Sequence, residues 1–362
     1  MDMFLIEGGA RLEGTIRVNG AKNAALPLMA APLLTDQPVT IRGIPDLADV
    51  RNMLRLLHEL GCEQAETSPP SDPKNSKTTS DEPSMTLCSR DASQTHARYD
   101  IVRTMRASIC VLGPLLASRG AARVSMPGGC LIGARPVDLH LRGLRALGAE
   151  IELDNGDIVA RAQGGRLRGA RIFLGGTFGS TVLGTANVMS AATLAEGTTV
   201  IEGAACEPEL VDLATLLNAM GAQIRGAGGP RIIIEGVDQL HGCDHTVIPD
   251  RIEAGTLMCA AAITNGDVTI ENCPLDAMMS ITDRLEAVGV RLDVKDQTDP
   301  MRAICRVTAE RVLQPIEVAT QPHPGFPTDL QAQLMALLCL ASGNSVITEK
   351  IHVRAEASGG MV

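Results

Sequence analysis

Leu144-Arg145-Ala146-Leu147-Gly148-Ala149, running on into Glu150-Ile151-Glu152-Leu153, is the stretch on which the fold turns. Its first half reads as the end of an amphipathic helix. Gly148 suits the left-handed position just past a helix C-terminus. Its second half alternates polar and apolar residues, the period of a strand with one buried face. The pattern recurs in Leu56-Leu57-His58-Glu59-Leu60-Gly61-Cys62, in Leu216-Leu217-Asn218-Ala219-Met220-Gly221-Ala222, and in Leu285-Glu286-Ala287-Val288-Gly289-Val290, which leads into an alternating Arg291–Val294. Copies of one helix end at intervals of roughly 70 to 90 residues are an internal repeat.

Working outward, a second piece recurs: a Gly- or Pro-started strand at Gln37–Arg42, Gly120–Met126, Gly197–Glu202, Gly266–Glu271 and Gly343–Thr348. Each follows a helix rich in Ala, Leu and Met, such as Ala24–Leu34 or Ala186–Ala195. The unit is therefore helix, strand, helix, strand, strand. Alternating helices and strands make an α/β protein, and the recurring helix end favours copies of one unit over an ordinary doubly wound sheet.

The chain has 362 residues, enough for two domains. Apolar residues make up 45 %, yet there is no Trp, one Tyr and four Phe, so the core must be aliphatic. The scarcity of stacking rings and a net charge of −10 argue against nucleic-acid binding. They leave room for a small anionic substrate held by local arginines. Ten cysteines are scattered with no Cys-x-x-Cys pair, the usage of a reduced cytosolic chain. The acidic start, Met1-Asp2-Met3-Phe4-Leu5-Ile6-Glu7, does not read as a signal peptide, and every apolar run is interrupted before membrane-spanning length. A soluble, cytoplasmic protein is expected. Glu66–Thr95 breaks the pattern: it is dominated by Ser, Thr, Pro, Asp and Lys, and is expected to be a mobile insertion.

Several segments carry chemistry. In Ser125–His140, two glycines precede Cys130 on a loop, and Arg135 follows five residues later, placed to lower the thiol's pKa. Pro136 suits a first helical turn, whose free N–H groups can take an anion. An inert cysteine in a surface turn is the plain alternative. Lys22 and Asn23 open a helix after a short strand, positioned to grip a carboxylate or phosphate, or simply a solvated Lys with an Asn cap. Arg103 and Arg106, three apart, are expected on one face of a helix running on through Ile109 and Leu112. Cys206, Glu207 and Glu209 flank Pro208 at a helix start, where acids often serve only the dipole. His241-Gly242-Cys243-Asp244-His245 has the residue types of a metal trap but no second ligand cluster. Asp329, after the Pro-rigidified His323–Phe326 loop, is an N-cap or a general base.

Lys22-Asn23, Thr104-Met105-Arg106, Pro127-Gly128-Gly129-Cys130, Gly133-Ala134-Arg135-Pro136-Val137-Asp138, Asp250–Gly255 and Phe326-Pro327-Thr328-Asp329 occur in that order. Together they resemble the UDP-N-acetylglucosamine 1-carboxyvinyltransferases, enolpyruvyl transferases of peptidoglycan synthesis, from residue 1 to about Ile351. The resemblance implies two similar domains, each an inside-out α/β barrel of repeated units: residues 22–248, and residues 1–21 with 249–362. It implies phosphoenolpyruvate and UDP-N-acetylglucosamine as substrates, with no metal or organic cofactor, no nucleic acid and no membrane. By this likeness Lys22, Asn23, Cys130 and Arg135 meet phosphoenolpyruvate. Cys130 is the proton donor and the target of the epoxide antibiotic fosfomycin. The UDP-sugar side takes Arg106, Arg135, Pro136, Val137, Asp138, Leu139, Gly179, Ser180, Thr181, Val182, Asp329 and Ile351, with Asp329 receiving the hydroxyl proton.

The family has six repeat units, whereas four Leu-x-x-x-Gly helices are counted here, and the fifth unit stops near Thr348. Val353–Val362 no longer matches. The second domain is therefore expected to be incomplete. A remnant that only binds the UDP-sugar is the alternative from another class. The related 3-phosphoshikimate 1-carboxyvinyltransferases share the fold, but the Gly-Gly-Cys loop and the Arg-Pro-Val-Asp run favour the UDP-sugar enzyme.

Overall fold

The computed structural model describes residues 3, 5–65, 83–127, 137–176, 179–309 and 312–351. They fall into two compact units, one spanning Gly20–Ile248 and the other joining the residues up to Asn19 with those from Pro249 onward. The first strand, β1 (Glu13–Arg17), belongs to the latter.

The Gly20–Ile248 unit is three copies of one unit. The first copy is α1 (Lys22–Ala30), β2 (Val39–Arg42), α2 (Ala48–Glu59), β3 (Cys62–Gln64) and β4 (Ser84–Ser89), followed by the short β5 (His96–Ala97) and α3 (Tyr99–Val102). The second is α4 (Leu112–Arg119), β6 (Ala121–Ser125), α5 (Asp138–Ala146), β7 (Ala149–Asp154) and β8 (Asp157–Ala162), then β9 (Arg171–Phe173). The third is α6 (Val182–Ala192), β10 (Thr198–Glu202), α7 (Pro208–Ala219), β11 (Gln223–Arg225) and β12 (Arg231–Glu235), then β13 (Asp244–Thr246). In each copy the opening helix is apolar nearly all round and is buried accordingly: Ala24–Ala30 in α1, Leu112–Leu116 in α4, Gly184–Ala192 in α6. The second helix buries one face, as in α2 with Val50, Met53, Leu56 and Leu57. The glycine after it takes the left-handed conformation its position requires, with φ of 78° at Gly61, 89° at Gly148 and 101° at Gly221.

Each copy owns three strands of a four-stranded sheet, and the fourth comes from another copy. The orders are β13-β2-β4-β3, β5-β6-β8-β7 and β9-β10-β12-β11. The borrowed strands β5, β9 and β13 run parallel to β6, β10 and β2, and β13 returns to the first copy, so strand exchange closes the three copies into a ring. These strands have two or three residues each, too short for sequence periodicity to show. The sheets stay separate among the described residues. Closure is by exchange around buried helices, not by one barrel of hydrogen-bonded strands.

The other unit repeats the plan with α8 (Arg251–Ile263), β14 (Asp267–Cys273), α9 (Met279–Val288), β15 (Val290–Asp296) and β16 (Ala303–Ala309). Its sheet is β1-β14-β16-β15, with β1 parallel to β14 in the place of the borrowed strand. Next come β17 (Glu317–Ala319), α10 (Gln331–Leu338) and β18 (Val346–Thr348), and β17 pairs with β18 in parallel. Gly289 closes α9 with φ of 106°.

Two expectations need correction. The segment Glu66–Thr95 is not wholly an insertion. Residues 66–82 lie outside the described residues, but β4 is an inner strand, between β2 and β3, with Leu87 and Cys88 buried. Its polar alternation, Ser84-Met85-Thr86-Leu87, is that of a strand with one wet face, and the Pro- and Ser-rich run ahead of it masked that signal. Nor do Arg103 and Arg106 share a helix face. α3 ends at Val102, Met105 is extended (φ −149°, ψ 123°), and a 3-10 turn restarts at Arg106–Val111. Arg103 instead lies over the Tyr99 ring, 5.9 Å from its centre.

Among the described residues no helix is long and apolar enough to cross a membrane.

Candidate active site

Within the Gly20–Ile248 unit, the described candidates lie on or beside α1, the Arg106 turn, α5 and α6, of which α5 and the Arg106 turn pack on α6 and the Arg106 turn also packs on α1. Lys22 is the first residue of α1, behind Ala21, whose N–H donates to Ile248 O at 2.8 Å. Its ammonium lies 3.5 Å from Asp49 Oδ2 in the first turn of α2. Asn23 is inside the helix and exposed, so it is not the cap considered for it. The 3-10 turn that starts at half-buried Arg106 packs against α1.

Val137 precedes α5 and is buried, while Asp138 and Leu139 form its first turn. Leu139 reaches the loop of the next copy: a methyl on Gly176 would sit 3.1 Å from Leu139 Cδ1. Gly176 and Gly179 exchange N–H···O bonds of 2.8 and 3.1 Å, and Gly179 has φ of 101°. Arg142, one turn along α5, donates to Gly175 O at 3.2 Å and faces Asp138 at 3.9 Å. Half-buried Ser180 follows, and Thr181 caps α6 by accepting from Gly184 N at 3.2 Å, so Val182 starts that helix. Arg106, Val137–Leu139 and Gly179–Val182 thus come from three parts of the chain to one region.

At the hub of that region is a polar group that sequence reasoning passed over. Asn187, 1 % exposed in the middle of apolar α6, accepts from Gly113 N at 2.7 Å and donates to Ile109 O at 2.8 Å. Its amide is also 2.9 Å from His140 Nδ1. Burial, helped by the positive charge of Arg106, lowers the His140 pKa to about 4, so the ring is neutral at physiological pH. An Asn among Ala, Val and Met was the signal available in the sequence.

In the other unit, Asp329 is exposed within a 3-10 turn, Thr328–Leu330, whose N-cap is Pro327, so Asp329 is not itself the cap. Glu349 ties this turn to Ile351. Its carboxylate accepts from Thr328 Oγ1 at 2.8 Å, from Thr320 Oγ1 at 2.9 Å and from Ile351 N at 2.6 Å. Thr328, the residue before Asp329, and the backbone of Ile351 therefore share one carboxylate that carried no role in the sequence reading. Asp250 caps α8 by accepting from Ile252 N and Glu253 N at 2.8 and 3.1 Å.

Cys130, Arg135 and Pro136 lie outside the described residues. The nine described cysteines are free thiols. Burial pushes Cys62 and Cys305 up to about 11, and Cys110, Cys259 and Cys273 up to about 12, so these are poor nucleophiles at neutral pH. No group of three or more His, Cys, Asp and Glu among the described residues is arranged to hold a metal. His245 instead meets buried Asp212 at 2.7 Å.

A protein of repeated units with buried central helices and exchanged strands has solved counterparts among the enolpyruvyl transferases, which defines the class of the fold. The enolpyruvyl transferase NikO from Streptomyces tendae superposes with a TM-score of 0.77 at 22 % identity, over 95 % of this chain and 77 % of that one. EPSP synthase from Acinetobacter baumannii gives 0.66 at 18 % identity, over 94 % and 74 %. The chain belongs to the EPSP synthase (3-phosphoshikimate 1-carboxyvinyltransferase) family, whose model matches residues 6–358. More similar by sequence are proteins named UDP-N-acetylglucosamine 1-carboxyvinyltransferase. That of Methylacidiphilum infernorum is 48 % identical over 351 residues, 97 % of this chain and 78 % of the relative. That of Anaeromyxobacter sp. strain Fw109-5 is 49 % identical over 352 residues, again 97 % and 78 %.

Proposed function

We propose that the protein transfers the enolpyruvyl group of phosphoenolpyruvate to the 3-hydroxyl of UDP-N-acetylglucosamine, the first committed step of peptidoglycan synthesis. What carries this reading is identity of 48–49 % across 97 % of the chain to transferases of that name. Likeness to the 3-phosphoshikimate enzymes is of fold and broad family, at 18 % identity for the solved one.

The chemistry suits the residues assigned. The sugar hydroxyl adds to C2 of phosphoenolpyruvate while C3 gains a proton. The tetrahedral adduct then loses a C3 proton and phosphate, regenerating the double bond. Cys130 supplies the proton to C3, and Asp329 takes the hydroxyl proton. Lys22, Asn23 and Arg135 hold the phosphate and carboxylate, where fixed cations stabilise the charge that gathers on the leaving group. Arg106, Pro136–Leu139, Gly179–Val182 and Ile351 bind the UDP-sugar. A cytoplasmic setting for the reaction is in keeping with ten scattered cysteines and no Cys-x-x-Cys pair.

The test is release of inorganic phosphate from purified protein. Release that requires both substrates and is lost in Cys130→Ala supports the reading. Binding of UDP-N-acetylglucosamine without release would leave a sugar-nucleotide-binding protein, and release with shikimate 3-phosphate in its place would overturn the substrate.

A further inference from the structure

We propose that Asn187 is a positioning residue of the sugar-nucleotide site, fixing His140 in its Nε2–H tautomer and holding α5, α6 and the Arg106 turn in register. The inference rests on the proposed function for the identity of the ligand, but the network is geometric.

The amide orientation follows from its partners. A backbone N–H can only donate, so the atom facing Gly113 N at 2.7 Å is Oδ1. Nδ2 then faces Ile109 O at 2.8 Å, which can only accept, and His140 Nδ1 at 2.9 Å. Nδ2 has two hydrogens and donates to both. His140 Nδ1 is therefore an acceptor and its proton sits on Nε2.

Packing agrees with a built contact. A Cβ on Gly113 would lie 2.3 Å from Asn187 O and 2.8 Å from its Oδ1, so α4 approaches α6 this closely only through a glycine. A Cβ on Gly143 would lie 2.3 Å from Val188 Cγ2, and the same holds for α5 against α6. A side-chain amide buried to 1 % exposure is costly unless satisfied, and an apolar residue would fill α6 without that cost. What the amide adds is direction. Apolar helix faces slide over one another, whereas three hydrogen bonds of fixed geometry do not.

Two of the three bonds lead to candidate binding segments, the third ties α6 to α4, and Asn187 itself lies on a helix that begins at another candidate segment. Ile109 lies in the turn begun by Arg106. His140 follows Asp138 and Leu139 in the first turn of α5, and Leu139 meets the Gly176–Gly179 loop. Asn187 shares α6 with its cap Thr181 and its first residue Val182. One amide therefore ties together the Arg106 turn that runs into α4, the first turn of α5, and α6 of the next copy. Positioning partners of this kind affect affinity without touching the ligand.

The test uses the intact chain, imidazole nitrogen NMR, and the KM and kcat for each substrate. The His140 resonances are those, among seven histidines, that vanish in His140→Asn. In the parent they should show an unprotonated Nδ1; a protonated Nδ1 overturns the network whether or not any ligand binds. Asn187→Asp keeps the acceptor for Gly113 but replaces the donor with an oxygen. It should raise the UDP-N-acetylglucosamine KM by about tenfold, the scale of leaving buried partners unmatched, with a smaller change in kcat. His140→Leu should do the same. His140→Asn, whose oxygen can occupy the place of Nδ1, should restore the KM to near the parent value. Equal losses in His140→Leu and His140→Asn, or a folded Asn187→Asp with the parent KM, refute the positioning role. A parent that binds no UDP-N-acetylglucosamine refutes the function instead, and the tautomer measurement still stands.

Discussion

The neutral His140 makes stability depend on pH in a direction that can be worked out in advance. In the unfolded chain its imidazole titrates near 6.5; in the fold, burial and the nearby Arg106 lower that to about 4. Between those values the unfolded chain holds more protons than the folded one, so stability rises with pH there. The contribution is complete above pH 6.5 and is lost as pH falls towards 4. Linkage for a single group with these two values gives a loss of about 2 kcal/mol between pH 7 and pH 5. For a unit of this size that is a fall in melting temperature of about 4–8 °C. The measurement is calorimetric unfolding at pH 7, 6 and 5, with His140→Asn as the reference. Groups elsewhere titrate alike in both proteins, so the difference between the two curves isolates this site. The parent should lose more stability than the variant as pH drops. Parallel curves would refute a buried neutral imidazole at this position, and a parent that gained on the variant would mean that the ring carries charge in the fold.

Leu87→Ala should cost about 3–5 kcal/mol in urea unfolding, because Leu87 is fully buried on an inner strand; a change below ~1 kcal/mol would return β4 to the status of a dispensable insertion. Brief alkylation at pH 7 followed by peptide mass spectrometry should label Cys130 and the exposed Cys339 well before Cys62, Cys110, Cys259, Cys273 and Cys305, whose thiols burial holds protonated; early labelling of those five would show an opened core. Glu349→Ala removes the acceptor shared by Thr328, Thr320 and Ile351 N, and should lower kcat/KM for UDP-N-acetylglucosamine by about tenfold, read from initial rates; an unchanged kcat/KM would show that Asp329 and Ile351 are held some other way.

The sequence by itself determined the repeating unit. Leu-x-x-x-Gly ends at Gly61, Gly148, Gly221 and Gly289 are local signals: a glycine with positive φ stops a helix whatever it packs against, and all four have that conformation. Alternation after each glycine is likewise local, and the ordered motifs from Lys22 to Asp329 were enough to suggest the family. Tertiary structure alone decided the rest. Two-residue β5 and three-residue β9 and β13 have no periodicity of their own and become strands only because the edge of another copy's sheet offers unpaired backbone groups. β4 was hidden behind a polar run, since one wet face looks like a loop until the buried face is seen. Asn187, His140 and Glu349 carried no motif. Their weight comes from partners 47 to 78 residues away for the Asn187 side chain, and 21 to 29 residues away for the Thr hydroxyls that meet Glu349. A hydrogen bond is short and directional, so its meaning exists only once the backbone has brought its two ends within about 3 Å.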